Sequence, residues 1–182
     1  MHILENFYSN NLKYSFINKF KQTSLKTLPT IQKIVLNFKN KTLNLKNTAI
    51  NLLALRLITK DKKTCLILSK KPNLLLKIKK GNPIGCKIIL SKKLMFFFLK
   101  KLVFNILPLF KNYQELSLKK AKFNKNSFSF LIKNTMFFSQ INNFYNILGY
   151  NISSLNLNLV FKTLNSQEQI LFGLKKLKVS SI

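Results

Sequence analysis

Lys77-Ile78-Lys79-Lys80-Gly81-Asn82-Pro83-Ile84-Gly85-Cys86-Lys87-Ile88-Ile89-Leu90 is the stretch whose reading decides the fold. Lysine alternates with apolar residues on both sides of a Gly-x-Pro-x-Gly turn, so the pattern predicts strands that meet in a protruding, hairpin-like arm stiffened at Pro83. The sides of this arm carry cations, which reach toward phosphate. Nothing in it suits acid–base or metal chemistry, so the arm is a binding element.

Period-two alternation extends outward from the arm. Residues 63–68, 75–80 and 86–91 read as strands, and so does the segment around Ile34, Leu36 and Phe38. Phe128, Phe130 and Ile132 then alternate with Ser127, Ser129 and Leu131, while Leu155, Leu157, Leu159 and Phe161 alternate with Asn156, Asn158 and Val160. Helical spacing of Ile50, Leu53, Ala54, Leu57 and Ile58 marks a helix over 45–59. The run 94–110 suits a buried helix that Pro108 kinks or ends, and residues 1–22 read as an amphipathic first helix. Residues 112–126 are expected to form a polar, Lys-bearing loop, and Asn165 to Glu168 has the spacing of a capping box before a short last helix. The sum is one α+β domain over 1–182: a mainly antiparallel sheet with helices on one face and a Gly-x-Pro-x-Gly arm at 76–88.

Charge restricts the partners. Against 32 Lys and Arg stand four acids, Glu5, Asp61, Glu115 and Glu168, and the formal net charge is +28. Such a chain repels itself unless a polyanion neutralises it, which means nucleic acid or an anionic membrane. Residues 61–100 hold 11 Lys against Asp61 alone, whereas 134–161 hold no charged residue. The first segment reads as a polyanion contact and the second as buried strands or a neutral, protein-facing surface.

Other classes recede. One histidine, His2, and four scattered acids give no catalytic constellation, and Cys65 and Cys86 without a second pair give no zinc site, so neither an enzyme nor a metal or other cofactor is expected. Both cysteines read as buried strand residues. No segment has the roughly 18 uninterrupted apolar residues of a membrane span. A basic peripheral membrane-surface protein is the alternative, but its lysines should lie opposite the apolar residues of a clean amphipathic helix.

The segment Lys77 to Lys87 resembles the Lys-Ile-Arg-x-Gly-x-Pro-Ile-Gly-Cys-Lys signature of the universal large-subunit ribosomal protein L-five family. Gln32-Lys33-Ile34-Val35-Leu36-Asn37 after Pro29, Ile106-Leu107-Pro108, and Phe123-Asn124 extend the resemblance over most of the chain. It implies a non-catalytic protein of the central protuberance that binds 5S rRNA, where the lineage has one, and large-subunit rRNA. It further implies contact with the elbow of the peptidyl-site tRNA, an intersubunit bridge to a small-subunit head protein, and other central-protuberance proteins as neighbours, with no membrane.

By this resemblance Lys77, Lys79, Lys80, Gly81, Asn82, Pro83, Ile84 and Gly85 face tRNA, and Asn37 faces 5S rRNA. Lys39, Lys41, Lys62, Lys63, Lys70, Lys71 and Lys87 are the further rRNA candidates. The chain departs from the pattern where Phe38-Lys39-Asn40-Lys41 replaces Gly-Val-Gly-Glu, where Ile89 replaces a hydroxyl residue, and where Lys79 replaces arginine. Abundant Lys, Asn, Phe, Ile and Leu, a lone Arg56 and the absence of tryptophan suit an organelle-encoded protein. The mitochondrial matrix is the expected location, ahead of a plastid or an AT-rich bacterium.

Overall fold

Large apolar residues at every second position give each long strand one face to bury, and the strands assemble so that these faces coincide. The computed structural model describes residues 6–21, 30–40, 44–60, 63–109, 122–124, 126–148, 152–162 and 167–176. Its strands are β1 (Ile31–Lys39), β2 (Cys65–Leu68), β3 (Pro83–Ser91), β4 (Lys122–Asn124), β5 (Ser127–Ile132) and β6 (Leu155–Phe161). They form one sheet in the order β2-β3-β1-β6-β5-β4, and every neighbouring pair is antiparallel.

Ile34, Leu36 and Phe38 of β1, Cys86, Ile88 and Leu90 of β3, Phe128, Phe130 and Ile132 of β5, and Leu155, Leu157 and Leu159 of β6 are buried. Helices cover that face. In α1 (Lys13–Phe20), Phe16 packs edge-on against Phe172 of the last helix, their ring centroids 5.1 Å apart. The helix α2 (Leu45–Thr59) is capped by the Asn44 side chain, which accepts from Lys46 N at 3.0 Å, and buries Ala54, Leu55 and Ile58. The helix α3 (Lys92–Lys101) buries Met95, Phe98 and Leu99, then winds through a π-helical turn, Leu102–Ile106, and a 3-10 turn, Leu107–Leu109, that contains Pro108. Short α4 (Ser139–Asn142) and α5 (Tyr145–Leu148) precede β6, and α6 (Gln167–Lys176) follows it.

A polar cluster fastens α2 to the sheet. Asn51 is fully buried; its Nδ2 donates to Asn40 Oδ1 and to Ser153 Oγ, and its Oδ1 accepts from Ser153 N at 3.0 Å. Asn40 Nδ2 in turn donates to Thr48 Oγ1 at 2.6 Å. Three segments that are distant in sequence, those after β1, within α2 and before β6, meet here with their polar groups paired.

Several expectations are corrected. Residues 75–80 are not a strand: Leu74 to Lys77 form a turn closed by the bridge between Asn73 and Ile78. Pro83 is not at the arm's apex either, because it opens β3 and pairs with Leu68. Cys65 is exposed, and only Cys86 is buried. Within the expected 112–126 loop, Lys122–Asn124 is a strand, and residues 112–121 and 125 lie outside the described residues. The charge-free segment contains α4 and α5 as well as β6, with Ile147 exposed. Residues 1–5 and 22 of the expected first helix, and Asn165 and Ser166 of the expected capping box, also lie outside the described residues.

Candidate nucleic-acid interface

Residues alternating with the buried set make up the other face of the sheet, which is half-buried or exposed. Lys33, Val35, Asn37 and Lys39 of β1 lie among Lys87, Ile89 and Ser91 of β3, Asn156, Asn158 and Val160 of β6, and Ser127, Ser129 and Leu131 of β5. The register aligns them in rows across the sheet: Cys65, Lys87, Asn37, Asn156 and Leu131 in one, and Ile89, Val35, Asn158 and Ser129 in the next. Asparagine is a poor strand former, yet three stand at the centre of this face. The side-chain oxygens of Asn37 and Asn158 are buried and accept no hydrogen bond, a cost of about 1–3 kcal/mol each. Lys33, Lys39 and Lys87 bring positive charge to the same face.

The arm is the loop between β2 and β3. Its base continues the ladder, with Ser69 N donating to Asn82 O at 2.9 Å and Gly81 N to Ser69 O at 3.0 Å. Ser69 Oγ donates to the Lys79 carbonyl. At the apex Asn73 and Ile78 exchange backbone bonds of 2.8 and 2.9 Å, and Asn73 Oδ1 accepts from Leu76 N at 3.3 Å. Lys77 closes the turn with φ 51°, and Gly81 takes φ 89°, a left-handed conformation that glycine adopts without strain. The arm is therefore ordered by its own hydrogen bonds. Lys70, Lys71, Lys77, Lys79 and Lys80 are all exposed on it, and Glu168, in α6, is the only acidic side chain among the described residues.

The expected tRNA-facing residues thus divide. Lys77, Lys79, Lys80 and Gly81 are exposed on the arm, Asn82, Pro83 and Ile84 are half-buried at its base, and Gly85 is buried. A Cβ on Gly85 would overlap the Phe38 carbonyl oxygen, so this glycine serves the approach of β3 to β1. Of the expected rRNA-facing residues, Asn37, Lys39 and Lys87 share the open sheet face, Lys63 precedes β2, and Lys70 and Lys71 belong to the arm. Lys41 and Lys62 lie outside the described residues. Sequence reasoning missed Asn156 and Asn158, whose signal was asparagine recurring in the polar register of a strand. It also missed the apex Leu74-Leu75-Leu76.

Two groups are shifted by burial. The Cys86 thiol is pushed up to about 12 by desolvation, partly offset by a hydrogen bond with the Phe38 backbone. Lys101, whose Nζ donates to Ile58 O at 3.1 Å, is lowered to about 8 by desolvation and by the nearby charge of Lys60. Neither belongs to the open face. Among the described residues no group of three or more His, Cys, Asp or Glu side chains could hold a metal ion, and no helix is long and apolar enough to cross a membrane.

A mixed sheet face bearing three lysines and unsatisfied amide oxygens, next to an arm of five exposed lysines, makes this a basic α+β protein suited to a polyanionic partner. The comparisons narrow that class. The chain is 30% identical over 142 residues to the large ribosomal subunit protein uL5 of Buchnera aphidicola subsp. Cinara cedri, covering 75% of this chain and 76% of the relative. It is 31% identical over 141 residues to uL5 of Malacoplasma penetrans, covering 76% and 74%, and 35% identical over 123 residues to uL5 of Wigglesworthia glossinidia brevipalpis, covering 64% and 66%. No protein-family model matches the chain. The chain belongs to the uL5 family of large ribosomal subunit proteins.

Proposed function

We propose that the protein is a structural constituent of the large ribosomal subunit that binds RNA and performs no catalysis. Its open sheet face, through Asn37, Lys39 and Lys87 with Asn156 and Asn158, docks on 5S rRNA where the lineage has one, or on the rRNA that takes its place. Lys63, Lys70 and Lys71, together with Lys41 and Lys62, meet large-subunit rRNA. The arm, through Lys77, Lys79, Lys80 and Gly81, with Asn82, Pro83 and Ile84 forming its base, reaches the peptidyl-site tRNA elbow. A small-subunit head protein and other central-protuberance proteins complete its surroundings. The ribosome is mitochondrial and the chain organelle-encoded, as the composition suggests.

The observation that carries this reading is the union of family membership with an arm of five exposed lysines ordered by its own hydrogen bonds. Lysine neutralises phosphate without reading sequence, which suits a site that must accept every tRNA. An anionic membrane would serve these cations too, but family membership favours RNA.

The test is sedimentation. The chain is expected to travel with the large subunit of mitochondrial ribosomes at low salt and to be released at high salt; recovery only in membrane or free fractions after gentle lysis would overturn the reading. Sequencing the RNA that co-purifies decides whether a 5S species is its partner. Replacing Lys79 and Lys80 with Ala, and Lys77 with Gly to keep its left-handed backbone, should leave assembly intact and weaken retention of peptidyl-site tRNA. Failure of assembly would mean that the arm binds rRNA.

A further inference from the structure

The apex of the arm carries no charge until Lys77. Leu74, Leu75 and Leu76 stand there in succession, with 93%, 95% and 46% of their surfaces exposed. Three aliphatic side chains on a turn are costly to hold in water, and here the turn is built to hold them out: the paired backbone bonds of Asn73 and Ile78, the bond from Leu76 N to Asn73 Oδ1, and the bond from Lys77 N to Leu74 O at 3.1 Å fix it. A preordered apolar tip loses little freedom when it docks, which lowers the ordering cost of binding.

We infer that Leu74, Leu75 and Leu76 form an apolar contact that packs against exposed nucleobases of the folded RNA met by the arm, while Lys70, Lys71, Lys77, Lys79 and Lys80 hold the phosphates around it. This rests on the reading of the arm as a tRNA contact and adds to it where the tip sits and what chemistry it recognises. RNA is favoured over an apolar protein pocket by charge. Exposed lysines flank the tip on both sides, and a nucleic acid offers a base plane and phosphates within one nucleotide, whereas a protein pocket would need a ring of acids beside an apolar floor. Leucine is among the side chains that wedge against or between bases in this way.

The experiment uses large subunits carrying the full-length chain as wild type, L74S/L75S or K79A/K80A, with retention of peptidyl-site tRNA measured across a series of monovalent salt concentrations. The leucine pair is expected to weaken retention about tenfold at every salt concentration, leaving the salt slope unchanged, because apolar burial releases no counterions. The lysine pair is expected to flatten the slope by about 0.7–0.9 per lysine. Full retention by L74S/L75S with weakening in K79A/K80A would overturn the apolar contact and leave the reading of the arm standing. Full retention by both variants would overturn the arm reading and this inference together. Loss of subunit joining in L74S/L75S with tRNA retention unchanged would assign the tip to a protein partner and overturn the inference. Both leucines are exposed, so an unchanged thermal midpoint of the free L74S/L75S protein is the control for folding.

Discussion

Gly85 of β3 lies directly beneath the carbonyl oxygen of Phe38 in β1, so closely that a Cβ at that position would overlap it. The last paired position of these two strands, Lys39 with Gly85, depends on the missing side chain. Gly85→Ala must push the strands apart where Phe38 is fully buried, at an expected cost of about 2 kcal/mol or roughly 6 °C in Tm. Gly81→Ala meets open space and suffers only from its positive φ, costing about 1 kcal/mol. Thermal unfolding of the two variants side by side checks the order.

Asn51 links α2 to the segments after β1 and before β6 through both ends of its amide. Asn51→Leu fills similar space but leaves Ser153 N and Asn40 Oδ1 with fewer partners. A loss of about 2 kcal/mol is expected, read as a shift of the denaturant midpoint with little change in slope.

Lys101 places its ammonium against the Ile58 carbonyl and 5.7 Å from the centre of the Phe138 ring. Burial holds its folded-state value near 8, below its ordinary 10.5. Between those values the unfolded chain binds more protons at this site than the folded one, so the site's contribution to stability rises with pH from about 8 toward 10.5. Below 8 both states are charged and the full cost of burying the ammonium is present. Lys101→Met should remove this rise, seen as a flatter profile of Tm against pH than wild type over the same range.

Cys65 and Cys86 stand on adjacent strands, one residue apart in register, since Leu66 pairs with Cys86 and Cys65 with Lys87. The two thiols therefore point to opposite faces of the sheet. In the free folded protein a maleimide should label Cys65 alone at neutral pH, because Cys86 is buried and its thiol is held at about 12. Labelling of both, read by intact mass, would contradict the placement of β3.

Much of the framework was legible in the chain. Leu155 to Phe161 alternates large apolar residues with Asn and Val, and that period leaves one way to bury a strand, as β6 shows. Helical spacing over 45–59 located α2, while the Asn44 cap that starts it came from the structure. Cys65 was misread because β2 is an edge strand of four residues whose first two are exposed, and edge position is not encoded in local pattern. The arm was misread at its apex, where Lys77-Ile78-Lys79 imitates strand alternation although Asn73 folds the chain back four residues earlier.

Composition and spacing by themselves determined the α+β class, the strongly basic charge and the cationic character of the arm, because each depends on local periodicity or on summed charge. Only the tertiary structure decided that Gly85 is a packing residue, that Asn37 and Asn158 share a face with unsatisfied oxygens, and that the arm ends in leucine. Those facts depend on strand register and on which backbone groups are already paired, and both are set by residues far apart in the chain.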